Sequence, residues 1–367
     1  MPEQRRWFRR NPKKALSLGV FVFFLLADWV FGLLLIPADH NGFRAPHPVF
    51  HHALLPNQTA MAKWGDKTYP MFTNSLGFRD RRPRQVSLKS KGNRLLIIGD
   101  SFGEGVGVLY EETFAGMLES RFESTGLEVL NASVVSYSPK LYYLKTKHLL
   151  EEVGLEFEHL MVFIDISDIQ NEIAYEVFQP GEFSAMSEFQ YHLGRLGRRH
   201  SFLWHLVAAQ NRKSREIGGV DYSADGLFPH FTGLDPRMIA DPDFQRLGFA
   251  WTIDKKLFDR WGNKGLTLAL SNMREIVGLC KTRNIRMTVV VYPWSQQIVS
   301  RDLDSIQVKT WRAFAKSNGI GFVNLFPKFI DDRPFPTVYA AYFIDGDAHW
   351  NPYGHRLVAN TVAEQLK

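Results

Sequence analysis

The chain has 367 residues, 45% hydrophobic, 14% aromatic and 22% charged, which is enough apolar material for a sizeable core and too much for a disordered protein. Its formal charge of +6 sits largely at the amino terminus, where residues 1–14 (MPEQRRWFRRNPKK) carry six Lys or Arg against Glu3. The remainder is close to neutral, which speaks against nucleic acid as a partner, because that function needs clustered positive charge.

After this basic tail, expected in the cytoplasm, residues 15–37 read as a transmembrane anchor. Leu16 to Ile36 (LSLGVFVFFLLADWVFGLLLI) is a 21-residue stretch with one charge, Asp28, and a bilayer span needs ~20 apolar residues. No small-residue cleavage site follows in IPADHNGF, so the segment is read as retained rather than removed. Basic residues ahead of it predict a cytoplasmic amino terminus and a bacterial inner-membrane protein with its main domain in the periplasm. A carboxylate near mid-span is costly, so either a membrane partner such as an acyltransferase satisfies Asp28 or it sits protonated or snorkelling in a tilted helix.

Residues 38–92 have mixed polarity with scattered Pro, Gly and His and read as a stalk. His47, His51 and His52 lack an acidic or cysteine partner at ligand-like spacing, so they are taken as a wet interfacial segment, with no metal and no cofactor expected. From about residue 93 to 367 the pattern becomes α/β. The apolar runs at 94–100, 127–133, 158–167, 285–293 and 321–326 alternate with helical periodicities at ETFAGMLESRF, LYYLKTKHLLEEVG, 266–281 and 306–317, and a last helix closes the chain. That alternation predicts a parallel sheet covered by helices on both faces, with ligands at the carboxyl ends of the strands. Cys280, the only cysteine, excludes an intrachain disulfide and falls on the apolar face Ala269, Met273, Ile276, Val277 of a predicted helix. The rhythm breaks between about 173 and 263, read as a mostly helical insertion that caps the site.

The stretch Gly99 to Gly105, GDSFGEG, follows the first apolar run of the α/β region. It fails the dinucleotide fingerprint, since the third position counted from Gly103 and Gly105 is Val108, and it lacks the G-K-[ST] of a P-loop. It does satisfy G-x-S-x-G, a serine exposed on a strand-to-helix turn. A serine nucleophile needs a base and the base needs an orienting group. Both are offered by IDGDAHWNPYGHRL, where Asp347 and His349, two apart, project to one side of an extended loop, with Asn351 as helix cap and Pro352 as first helical residue.

These two blocks resemble those of the SGNH hydrolases, also called the GDSL family. The anchor, the lead-in TNSLGFRD (73–80) and the D-x-H-W-N block are similar to envelope members that handle O-acyl groups on polysaccharides, including the alginate O-acetylation proteins. The resemblance implies a flavodoxin-like three-layer α/β/α sandwich with Ser101 as nucleophile, His349 as base and Asp347 orienting it. Asp345 is the alternative orienter. The family's second block supplies a glycine N–H to the oxyanion; NASVVSYSP has Ser133 or Ser136 there, and Ser133 is the assigned donor beside Ser101. The third block, usually G-x-N-D, reads Asp165-Ile166-Ser167-Asp168, which leaves the Ser167 hydroxyl, or Asn171, in place of the missing amide. Trp294 and Trp350 are candidate platforms for sugar rings. The expected chemistry is acyl-serine hydrolysis of polysaccharide O-acyl, chiefly O-acetyl, esters; the alternatives are O-acyl transfer from a membrane partner to a polysaccharide, and an inactive polysaccharide-binding module.

Overall fold

The structure, a computed structural model, describes residues 11–36, 40, 42–181, 193–194, 196–197, 200–204, 206–207 and 250–366. Contacts divide the chain into two units, residues 1–39 with 183–225, and residues 40–182 with 226–367.

In the first unit, helix α1 (Pro12–Leu35) is long and apolar enough to cross a membrane. Asp28 meets its own chain: its Oδ1 accepts the Leu203 N–H at 2.7 Å.

The second unit is built on an eight-stranded sheet in the order β10-β9-β8-β6-β7-β5-β4-β3. Its parallel part runs β6 (Arg94–Ile98), β7 (Glu128–Asn131), β8 (His159–Ile164), β9 (Arg286–Val291) and β10 (Gly321–Asn324). Counted from β6, the spatial order is 2-1-3-4-5, the flavodoxin-like order. Every residue of β6 and β8 is buried. This is why RLLII and HLMVFI read as continuous apolar runs rather than alternating ones, and each buried Leu or Ile contributes ~1.5–3 kcal/mol.

Among its helices are α2 (Ser101–Glu104), α3 (Phe114–Phe122), α4 (Pro139–His148), α5 (Asp168–Ala174), α6 (Asn263–Thr282), α7 (Ile306–Asn318), α8 (Phe335–Tyr342) and α9 (Pro352–Ala363). Helix α3 packs with α9 and α4 packs with α6, forming the two outer layers. Cys280 is buried on α6 with Met273, Ile276 and Val277, as its spacing predicts.

The expected stalk is part of this domain. β3 (Thr59–Trp64), β4 (Lys67–Thr73) and β5 (Arg79–Asp80) extend the sheet antiparallel beyond β7, while β1 (Arg44–His47) and β2 (His51–Leu54) form a separate hairpin. His51 and His52 are buried rather than wet. His52 is held by the Val135 carbonyl at 2.8 Å, and burial, then His51, pushes its pKa well below the usual histidine value. Of the expected 173–263 insertion, residues 182–192 and 208–249 lie outside the described residues; its end, from 250, is helical and buries Trp251 and Trp261.

Candidate active site

Strand β6 ends at Ile98, Gly99 follows it, and Asp100 caps α2 by accepting the Phe102 N–H at 3.0 Å. The turn sets Ser101 at the carboxyl end of the strand. Two glycines make it feasible. A Cβ on Gly103 would stand 2.5 Å from Ser133 Oγ, and Gly105 has φ of +82°, a left-handed conformation that glycine adopts without strain.

Ser101 Oγ lies 2.8 Å from His349 Nε2, and His349 Nδ1 lies 2.5 Å from Asp347 Oδ1. With Nδ1–H donated to Asp347, Nε2 is the lone-pair nitrogen and accepts from the serine. The Asp347 loop is closed by its own contacts: His349 N–H donates to Asp347 Oδ1 at 2.9 Å, and Ile344 N–H donates to the His349 carbonyl at 2.9 Å. Asn351 then caps α9 by accepting from Tyr353 and Gly354. Burial alone would push the Asp347 carboxyl up, but the hydrogen bonds and charge of His349, with the Trp64 indole, outweigh it and hold Asp347 at about 2. Ser101 and His349 are only 7% and 8% exposed. Asp345 is exposed, and it is Asp347 that bonds the His349 imidazole.

The oxyanion donors differ from expectation. The Ser133 N–H is given to Asn131 Oδ1 at 3.2 Å, and the Ser133 side chain fills the space beside Gly103. Ser136, two residues before the α4 cap, instead has φ of +58°, the conformation a glycine would ordinarily supply. Among the described residues no acceptor takes its N–H. The Ser101 N–H, first in α2, likewise has no intrahelical acceptor. Ser167 is spent locally, its N–H and hydroxyl both donated to Asp165 Oδ1 at 2.7 Å. Asn171 on α5 instead reaches the Ser136 turn, its Nδ2 donating to the Ser136 carbonyl at 3.4 Å.

Of the two tryptophans, Trp350 is fully buried, stacked on Phe329 at 5.8 Å and packed against Phe102 and Tyr292, so it offers no face to a sugar. Trp294 is half-buried; its indole N–H donates to Asp165 and its ring lies 5.7 Å from Phe102, which in turn lies 4.6 Å from His349.

Asp100, Asp165 and Asp168 form a buried carboxyl cluster beneath the serine, the one group among the described residues with metal-like spacing. Its oxygens are already used. Asp100 Oδ1 accepts from Tyr292 and Phe102, Asp165 accepts from Ser167 and Trp294, and Asp168 accepts from Tyr142 and from the Asp165 N–H. Burial first, and then the Asp165 charge, raises Asp100 and Asp168 well above the ordinary carboxylate value, and burial raises Asp165 despite hydrogen bonds from Trp294 and Ser167. The cluster is a hydrogen-bonded brace joining the loops after β6, β8 and β9 rather than a ligand cage.

Several supporting residues carry no motif in the sequence. Trp64 at the end of β3 donates its indole N–H to Asp347 Oδ2 at 2.8 Å and lies edge-on to His349 at 4.9 Å. Glu104, fully buried at the end of α2, is gripped by both terminal nitrogens of Arg44 and also accepts the Val135 N–H at 3.0 Å. Arg79 donates to the carbonyls of Glu104, Gly105 and Val108 and so holds the loop after the serine.

No family model matches the chain, and no curated protein matches it. Solved structures similar to it include the esterase EstA from a Pseudoalteromonas species (10% identity, 75% of this chain and 96% of that one, TM-score 0.38). A GDSL-like lipase from Bacteroides thetaiotaomicron is similar at 10% identity over 77% of this chain and 91% of that one, TM-score 0.38. A member of the lipolytic G-D-S-L family from Veillonella parvula is similar at 11% over 74% and 97%, TM-score 0.36. By its own strand order the chain has a flavodoxin-like parallel sheet, with the serine after the first parallel strand and the Asp-x-His loop before the last helix, the arrangement expected from the resemblance to the SGNH (GDSL) hydrolases.

Proposed function

We propose that this protein is a serine ester hydrolase that acts through an acyl-serine intermediate. The observation that carries the reading is the aligned Ser101–His349–Asp347 relay, with 2.8 Å between serine oxygen and imidazole and a carboxylate on the far nitrogen. His349 takes the Ser101 proton as Oγ attacks the ester carbonyl, then returns it to the leaving alcohol. Asp347, ionised down to about pH 2, fixes the tautomer and offsets the imidazolium charge. The N–H groups of Ser101 and Ser136 hold the oxyanion, with the Asn171 amide as third donor; each such donor is worth ~10²- to 10³-fold in rate.

The substrate we assign is an O-acyl, chiefly O-acetyl, ester of an envelope polysaccharide, with helix α1 anchoring the domain on the periplasmic side of a bacterial inner membrane. Trp294 is the aromatic face for the sugar. A second reading, transfer of the acyl group to a sugar hydroxyl, is favoured by the burial of Ser101 and His349, since a water-poor acyl-enzyme lasts long enough to meet another alcohol.

The test is to incubate the full chain in detergent with p-nitrophenyl acetate and with O-acetylated polysaccharide, measuring free acetate and acetyl moved to an added oligosaccharide. Free acetate that disappears in Ser101→Ala and His349→Ala establishes the hydrolase; acetyl recovered mainly on the oligosaccharide establishes the transferase; neither product from the wild type refutes both.

A further inference from the structure

Within α1, Asp28 Oδ1 accepts the Leu203 N–H at 2.7 Å, and the rings of Phe31 and Phe202 lie 6.2 Å apart. Gly32 is buried, and a Cβ there would stand 2.3 Å from the His200 carbonyl oxygen. Asp28, Phe31 and Gly32 are spaced i, i+3, i+4 and share one helix face. That face therefore receives the segment around residues 200–203. A carboxylate that would be costly in hydrocarbon finds its hydrogen bond inside the chain, and the glycine lets the two backbones approach.

The segment so held is apolar where it is exposed. Leu193, Leu196, Leu203, Trp204, Leu206 and Val207 are each at least 43% exposed. The surrounding sequence, residues 189–215, contains Arg195, Arg198, Arg199, Arg212, Lys213 and Arg215 and no Asp or Glu. Exposed Leu, Val and Trp among clustered Arg and Lys is the chemistry of an element lying in a membrane interface, apolar side in the acyl boundary and cations at anionic headgroups. The depth agrees. Asp28 is seven residues before Leu35, roughly 10 Å from the end of α1 at about 1.5 Å per residue, and interfacial helices sit about 5–10 Å deep.

We propose that the described residues between 193 and 207 belong to a second membrane-seated element, docked on the Asp28–Gly32 face of α1 and occupied on its exposed apolar side by an anionic bilayer. The proposal rests on α1 itself being in the membrane, and the controls separate the two. It also gives Asp28 a structural role that needs no partner protein.

The test places an environment-sensitive fluorophore on single cysteines in the full chain, reconstituted in phosphatidylcholine–phosphatidylglycerol vesicles with and without doxyl-labelled lipid. The buried Cys280 makes wild type the labelling blank. Leu206→Cys should be quenched by doxyl lipid to an extent near that of Leu34→Cys on α1, while exposed Asp332→Cys should be quenched only by aqueous iodide. Adding Gly32→Leu should strip the lipid quenching from position 206 and leave position 34 unchanged. If position 206 behaves like position 332 while 34 is quenched by lipid, the proposal is wrong and the anchor stands; if 34 is also aqueous, anchor and proposal fall together. Shielding of 206 from both quenchers would assign the surface to a second copy of the chain and overturn the bilayer as its occupant.

Discussion

The atoms we propose as reactive and the groups that hold them come from different parts of the molecule. Ser101, Asp347 and His349 stand on two short stretches, each shaped locally by a helix cap and a glycine-bearing turn. Their supports come from the amino-terminal strands: Arg44 on β1 is 60 positions from Glu104, and Trp64 on β3 is 283 positions from Asp347. Chemistry written in compact motifs is thus braced by the lead-in hairpin and by strands added at the edge of the parallel sheet. The two regions should fail differently, the first in rate and the second in stability or in fine geometry.

The largest effect is expected at the nucleophile. Ser101→Ala should lower kcat by ~10⁴-fold or more, since a triad acts as a unit, with thermal unfolding within a degree or two of wild type. A comparable loss of stability would dissolve the distinction between the regions. Next is Arg44→Ala, which leaves Glu104 buried without its cation and should cost ~3–5 kcal/mol, read as a fall in denaturant midpoint. A folded protein of normal stability would mean that Glu104 does not need the lead-in hairpin.

Trp64→Phe keeps the aromatic edge against His349 but removes the hydrogen bond to Asp347 Oδ2, a charge-assisted bond of the kind worth ~1.5–3 kcal/mol; partial exposure of the site brings the expected loss in kcat to about 10-fold, with KM little changed. The smallest effect concerns Glu172 on α5, where burial pushes the carboxyl from 4.5 up to about 7 against hydrogen bonds from Lys140, Ser138 and Asn272. A raised carboxylate pKa gives stability that is present below about 4.5 and lost as pH rises through about 7. Melting temperatures of Glu172→Gln should therefore fall less across that window than those of wild type, and parallel curves would remove the assignment.

The parallel strands are legible because burial on both faces makes each a continuous apolar run, and the capped Asp-x-His loop is legible because its turn residues are sequence-coded. The lead-in strands are not. In β3, TAMAKW has only Ala62 fully buried, and β4 carries Pro70, so neither reads as part of a sheet. Trp350 follows the same rule that made Asp347 and His349 a pair: its neighbour in an extended loop points the other way, which is into the core. The choice between Ser133 and Ser136 turns on a backbone angle and on the use of an N–H by Asn131, neither of which a residue type reveals. Ser167 could be demoted only once Asp165 was seen to accept its hydroxyl.

The central claim is that Ser101 is the nucleophile, and the most direct measurement is mass-spectrometric mapping of the full chain after reaction with a fluorophosphonate. A single adduct is expected on the peptide containing Ser101, absent in His349→Ala and slowed in Asp347→Asn. No adduct, or an adduct elsewhere with the Ser101 peptide unmodified, would contradict it.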